Sequence, residues 1–156
     1  MNVIAAMTRD RVIGRDGALP WDIPEVHQQF LNLVAGKTVI LGRHAFELFG
    51  ADLTRSTNLV VSGSLGSVEG AEVFPTLEQA LARGFSLGQP MFGAGGGSIF
   101  EQTLPLADKL YISYIEDDSG PQPGDIHFPD FDENTWAVER RRQHQRFEFV
   151  VYKSQG

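Results

Sequence analysis

Three short stretches set glycines and small hydroxyls where an apolar run gives way to a helix or a loop: Gly42-Arg43-His44, Ser62-Gly63-Ser64 and Gly95-Gly96-Gly97. Glycines at such a junction let backbone N–H groups approach a phosphate, and a helix N-terminus adds a favourable dipole. Three glycines alone are equally well read as a tight turn. Arg43 and His44 strengthen the phosphate reading, because cations at a helix start are unfavourable and a bound anion accounts for them. Arg43 can fork onto one phosphate and His44 can donate to another. Three such cradles at strand ends point to a dinucleotide lying along one sheet edge.

A second group follows Pro24. Val26, His27, Phe30 and Leu31 fall at i, i+1, i+4 and i+5 of a helix that Pro24 opens at its favoured first position, so they share one face. His27 is the titratable member. A lone histidine is weak evidence for chemistry, and a half-exposed residue at a pocket rim is the simpler reading.

The elements that must position these residues alternate. Val3–Ala6, Thr38–Leu41, Asn58–Ser62 and Pro90–Gly93 are apolar runs of strand length, and Lys109–Glu116 is β-rich and alternating. Between them fall the helix from Pro24 to about Gly36, a short helix Arg43–Phe49 between two glycines, and a helix Leu77–Arg83 that Thr76 can cap. A further helix starts near Ser98 and is closed by Pro105. Val12–Pro20, Gly63–Gly70 and Asp117–Gly124 read as loops, and Trp136–Arg142 with Phe147–Lys153 as a closing antiparallel pair. The pattern predicts an α/β fold, a mostly parallel sheet with helices on its faces, in one domain over residues 1–156.

Composition excludes several classes. The net charge of −7 argues against general nucleic-acid binding, and the run from Glu139 to Arg146 reads as the solvated face of a late hairpin strand. The absence of cysteine excludes disulfides and sulfur-ligated zinc, no metal is expected, and a cytoplasmic setting fits. The start reads as a strand rather than a signal peptide, and no apolar run approaches the ~20 residues of a membrane span.

Taken in order, Ile4-Ala5-Ala6, Arg11-Val12-Ile13-Gly14, Leu19-Pro20-Trp21, Ile40-Leu41-Gly42-Arg43-His44, Gly95-Gly96-Gly97-Ser98-Ile99-Phe100, Tyr111-Ile112 and Gly124-Asp125-Ile126-His127-Phe128-Pro129 resemble segments of the dihydrofolate reductases. The likeness covers essentially the whole chain. It implies a central, mostly parallel eight-stranded sheet, NADPH across the carboxyl ends of the strands, and a mobile loop Ile13–Asp22 over the nicotinamide. It assigns the cofactor to Ala6, Ile13, Gly14, Leu19, Gly42, Arg43, His44, Ala45, Ser62, Gly63, Ser64, Gly95, Gly96, Gly97, Ser98, Ile99 and Phe100. It assigns the substrate to Ile4, Ala5, Val26, His27, Phe30, Leu31, Phe49 and Ala94, and gives Trp21 and Ser113 supporting catalytic roles. A monomer acting on a small molecule is the family expectation.

The departures carry as much as the likeness. The family places Asp or Glu where this chain has Val26, and that acid grips the pterin and supports protonation of the reduced bond. Glu25 is one residue early and points about 100° away on a helix. The arginine that holds the folate tail aligns with Ser56, with Arg55 just before it. Ala94 replaces a larger β-branched residue, Phe100 a tyrosine, and Ser113 a threonine bonded to the acid. Ser98 stands where some members carry a second arginine, so Arg43 favours NADPH over NADH with less support. Hydride addition to a neutral C=N needs a proton, and losing its donor costs about 10²–10⁴-fold. An iminium ion, such as a hemiaminal yields on losing water, needs none. The expected activity is therefore NADPH-dependent reduction of an iminium other than dihydrofolate, with Trp21, Phe30 and Phe49 able to stabilise the cation. Natural-product tailoring or self-resistance to a hemiaminal antibiotic would suit it. Two alternatives stand beside it: an atypical dihydrofolate reductase using His27 or water as donor, and a non-catalytic NADPH-binding protein.

Overall fold

The structure, a computed structural model, describes residues 1–64, 66–116 and 120–155. Its elements are β1 (Asn2–Thr8), β2 (Val12–Gly14), α1 (Pro24–Val34), β3 (Thr38–Gly42), α2 (Arg43–Phe49), β4 (Thr57–Val61), β5 (Glu72–Phe74), α3 (Leu77–Leu87), β6 (Met91–Gly93), α4 (Gly97–Thr103), β7 (Lys109–Ile115), β8 (Ile126–His127), β9 (Trp136–Gln143) and β10 (Phe147–Ser154). Eight strands form one sheet in the order β5-β4-β3-β6-β1-β7-β10-β9. All neighbours from β5 to β7 run parallel, whereas β10 is antiparallel to both β7 and β9. The expected α/β architecture, with its antiparallel pair at one edge, is the observed one.

The interior strands are apolar on both faces because helices cover both. Val39 and Leu41 of β3 belong to a cluster with Val60, Phe92 and Phe46, while the intervening Ile40 joins Leu59, Ala80, Met91 and Ile99 on the other face. This is the two-residue alternation of a pleated strand. Helix α3 starts as expected, with Thr76 Oγ1 accepting a bond from Gln79 N at 3.2 Å, but runs four residues beyond Arg83 to Leu87. Gly84 did not stop it. A Cβ at Gly84 would collide with Met91 Sδ, so that glycine serves close packing of α3 on the sheet.

Two features were not expected. β5 is a three-residue edge strand inside a stretch without alternation. Within the stretch read as the loop Val12–Pro20, β2 pairs with β8 in a separate ribbon. Part of the expected loop Gly63–Gly70 and part of Asp117–Gly124 lie outside the described residues. The basic run lies on β9, whose residues from Glu139 onward are exposed. Among the described residues, no helix is long and apolar enough to cross a membrane.

Candidate active site

The carboxyl ends of β1, β3 and β6 open onto a cavity of about 670 Å³. β1 contributes Ile4, Ala5 and Ala6, β7 contributes Ser113 and β10 contributes Phe149. Helix α1 supplies Val26, His27, Gln29 and Phe30. Helix α2 and the 3-10 turn after it (Gly50–Asp52) supply His44, Ala45, Leu48, Phe49 and Asp52. Ala94, Gly95, Gly96, Gly97 and Phe100 line it too, with Ile13, Gly14, Leu19 and Trp21 among the residues of the loop above. The side chains expected near a substrate thus converge, with one exception. Leu31 lines a separate groove of about 160 Å³ instead, because one step along α1 turns it away from the cavity.

The polar chemistry beside Val26 is neutral. Val26 is 7% exposed and clusters with Ile23, Ile115 and Phe149. Gln29, one helical turn on, donates from Nε2 to Ser113 Oγ at 3.4 Å. No buried side-chain polar atom among the described residues lacks a partner. Glu25 is exposed and off the cavity lining. The carboxylates that do line the cavity, among the described residues, are Asp22 and Asp52, and both are exposed.

His27 stands at the rim. Its Nε2 lies 2.9 Å from Asp52 Oδ2, joining α1 to the turn after α2. The imidazole sits 6.4 Å from the Phe30 ring and 6.2 Å from Phe49, and those two rings meet edge-on at 5.9 Å.

On the opposite side, Arg43 donates from Nε to Glu47 Oε1 at 3.0 Å and from a terminal nitrogen to Ser64 Oγ at 3.3 Å. Ser62 Oγ accepts from Ser64 N at 3.4 Å. Arg43, Ser62, Gly63 and Ser64 are therefore neighbours, but they lie beyond the cavity lining, as does Ser98, whose hydroxyl accepts from Gln102. Gly95 has φ +107, a conformation suited to glycine, and its peptide bond to Gly96 is cis. Gly42 N donates to Gly95 O at 2.8 Å, which seats the glycine run against β3. The Ile99 side chain is corrected from the groove to the core: it is 4% exposed and packs with Ile40 and Leu77.

His44 and Arg15 are among the tethers of the loop over the cavity. His44 Nε2 donates to Gly17 O at 2.9 Å. Arg15 grips both Asp125 oxygens at 2.7 and 2.9 Å. That guanidinium holds the Asp125 carboxyl down to about 2 from an ordinary 3.8, against the opposing effect of desolvation.

Sequence reasoning missed Gln29, Leu48, Asp52, Ile126 and Phe149. Gln29 lies three residues after Val26, and Leu48 four after His44, so helical spacing could have found both. Nothing local marks Asp52, whose relation to His27 arises only from the packing of two elements.

Comparison with known proteins agrees with this geometry. A family profile described as Dihydrofolate reductase matches residues 1–154. The chain is 37% identical over 145 residues to Dihydrofolate reductase type 3 of Salmonella typhimurium, covering 92% of this chain and 87% of that one. It is 31% identical over 164 residues to Dihydrofolate reductase of Bacillus subtilis, covering 100% and 95%. It is 36% identical over 138 residues to Dihydrofolate reductase of Haemophilus influenzae, covering 88% and 84%. With the sheet order, the glycine-lined cavity and a match across nearly every residue in agreement, this chain belongs to the dihydrofolate reductase family, whose cofactor is NADPH.

Proposed function

We propose that this oxidoreductase reduces a planar, cationic C=N substrate rather than dihydrofolate. The carrying observation is Val26 itself, buried and apolar, with the neutral Gln29–Ser113 contact beside it and the lining carboxylates Asp22 and Asp52 exposed. A neutral imine reduced there would develop negative charge on nitrogen with no acid beside it. An iminium carbon accepts hydride and its nitrogen becomes a neutral amine, so no proton is required. A hemiaminal substrate reaches that state by taking up one proton from solvent and losing its hydroxyl as water, before the hydride step.

NADPH supplies the hydride when bound. The residues present fit it. Arg43 and Ser64 form a donor pair at the edge of β4, suited to a phosphate monoester. A Cβ at Gly96 would meet nothing within 4 Å, so backbone there is open to approach. His44 holds the covering loop through Gly17 O, and can exchange that bond for one to a phosphate. Ala94 and Ala45 leave room for a ring between them and α1, and Trp21, Phe30 and Phe49 offer aromatic faces to a cation. The two carboxylates of the lining add the matching sign. Tailoring or disarming of reactive hemiaminals would call for this chemistry.

A second reading is favoured by the Gln29–Ser113 pair itself and by the relatives' names. An amide and a hydroxyl can hydrogen-bond a pterin edge, giving a slow dihydrofolate reductase. The two readings separate on one experiment: loss of NADPH absorbance with dihydrofolate and, separately, with a dihydroisoquinolinium ion. Reduction of the iminium alone supports the proposal. Rapid turnover of dihydrofolate overturns it.

A further inference from the structure

Asp52 belongs to two spaces at once. It lines the main cavity and also the adjoining groove, which it shares with Gln28, Thr54, Arg55 and Ser56. A substrate that fills the cavity and extends an arm towards that groove must therefore pass its carboxylate. The carboxylate is held in place by His27 Nε2 at 2.9 Å, and Phe30 and Phe49 lie against the imidazole. Arg55 is exposed in the groove but does not line the cavity. The first charge an arm meets is negative, beside two aromatic rings.

We infer that Asp52 is a specificity-determining residue that takes a protonated amine on an arm of the substrate and disfavours a carboxylate there. His27 is its positioning partner. An ammonium at this point gains a charge-assisted hydrogen bond and aromatic faces, whereas an anion meets like charge and displaces the imidazole contact. The inference deepens the proposed function and rests on it for the cationic ring of the substrate, while the arm is read from the His27–Asp52 geometry alone.

The test uses two dihydroisoquinolinium probes of equal length, one with an aminoalkyl arm and one with a carboxyalkyl arm. Binding to the NADPH-loaded enzyme is read from tryptophan emission, since Trp21 lines the cavity, and reduction from NADPH absorbance. The native enzyme should bind the amine probe about two- to fivefold more tightly, as expected for exchanging attraction for repulsion at an exposed carboxylate. Asp52→Asn should bring the two to equal affinity, and Asp52→Lys should reverse the order. No arm preference in the native enzyme, or one that survives Asp52→Asn, overturns the inference. Binding with the expected preference but without reduction of either probe overturns the proposed function and leaves the Asp52 site standing. No binding of either probe overturns both.

Discussion

Gln29 Nε2 and Ser113 Oγ, 3.4 Å apart, tie helix α1 to strand β7 one helical turn from Val26. The neutral pair occupies the corner where the family keeps an acid. Its removal should touch the substrate and not the cofactor. Gln29→Leu is expected to lower kcat/KM for the reducible substrate about three- to tenfold, the worth of a neutral hydrogen bond. NADPH affinity should stay unchanged. A drop in NADPH binding instead would place Gln29 elsewhere in the chemistry.

Restoring the acid is the complementary change. Val26→Asp is expected to raise dihydrofolate turnover by roughly 10²-fold or more, the ordinary value of a placed proton source. It should also cost about 1–3 kcal/mol of stability, because the new carboxyl enters a buried apolar cluster. Steady-state rates and a urea titration read both effects. An unchanged rate in a folded variant would show that the pocket rejects the pterin for reasons beyond position 26.

Arg43 reaches Ser64 across the end of β4. Arg43→Ala is expected to weaken NADPH about 10- to 100-fold, in keeping with loss of a charged hydrogen bond. NADH binding should change much less. Equal losses for the two cofactors, measured by fluorescence titration, would remove the phosphate-reading role from Arg43.

The Arg15–Asp125 pair makes a prediction about acid. The folded-state pKa of Asp125 is lowered to about 2 from 3.8, first by the Arg15 hydrogen bond. A depressed carboxyl contributes stability that is present in full above its unfolded value and is lost as pH falls through the folded one. Asp125→Asn should therefore be less stable than the native enzyme above about pH 4, and the gap should close as pH approaches 2. Urea midpoints across that range check it. A gap that stays constant with pH would assign the effect to packing.

Much of this molecule was legible in the sequence where local rules govern. Arg43–Phe49 was read to the residue because a glycine flanks each end, and Thr76 was read as a cap because its hydroxyl had a helix to serve. Of the residues expected around a cofactor, Gly95, Gly96 and Gly97 line the cavity, whereas Arg43 lies beyond its lining. β5 was not legible, since three residues at a sheet edge carry no period. Leu31 and Ile99 turn away from the cavity for a shared reason: membership of a matching segment does not say which way a side chain turns. Asp52 was illegible in principle, because its partner His27 lies on another helix and only folding introduces them.

The cavity's residues divide by element. Val26, His27, Gln29 and Phe30 all belong to α1, an eleven-residue helix, while the lining glycines Gly95, Gly96 and Gly97 follow β6, and Arg43 and Ser64, outside the lining, follow β3 and β4. α1 is anchored to the core by Val34, away from the cavity lining. The inner face of that one helix can therefore be rewritten while the cofactor-side loops are left untouched. Divergence within such a fold needs few steps, and grafting residues 24–34 between relatives offers a short route to engineered selectivity.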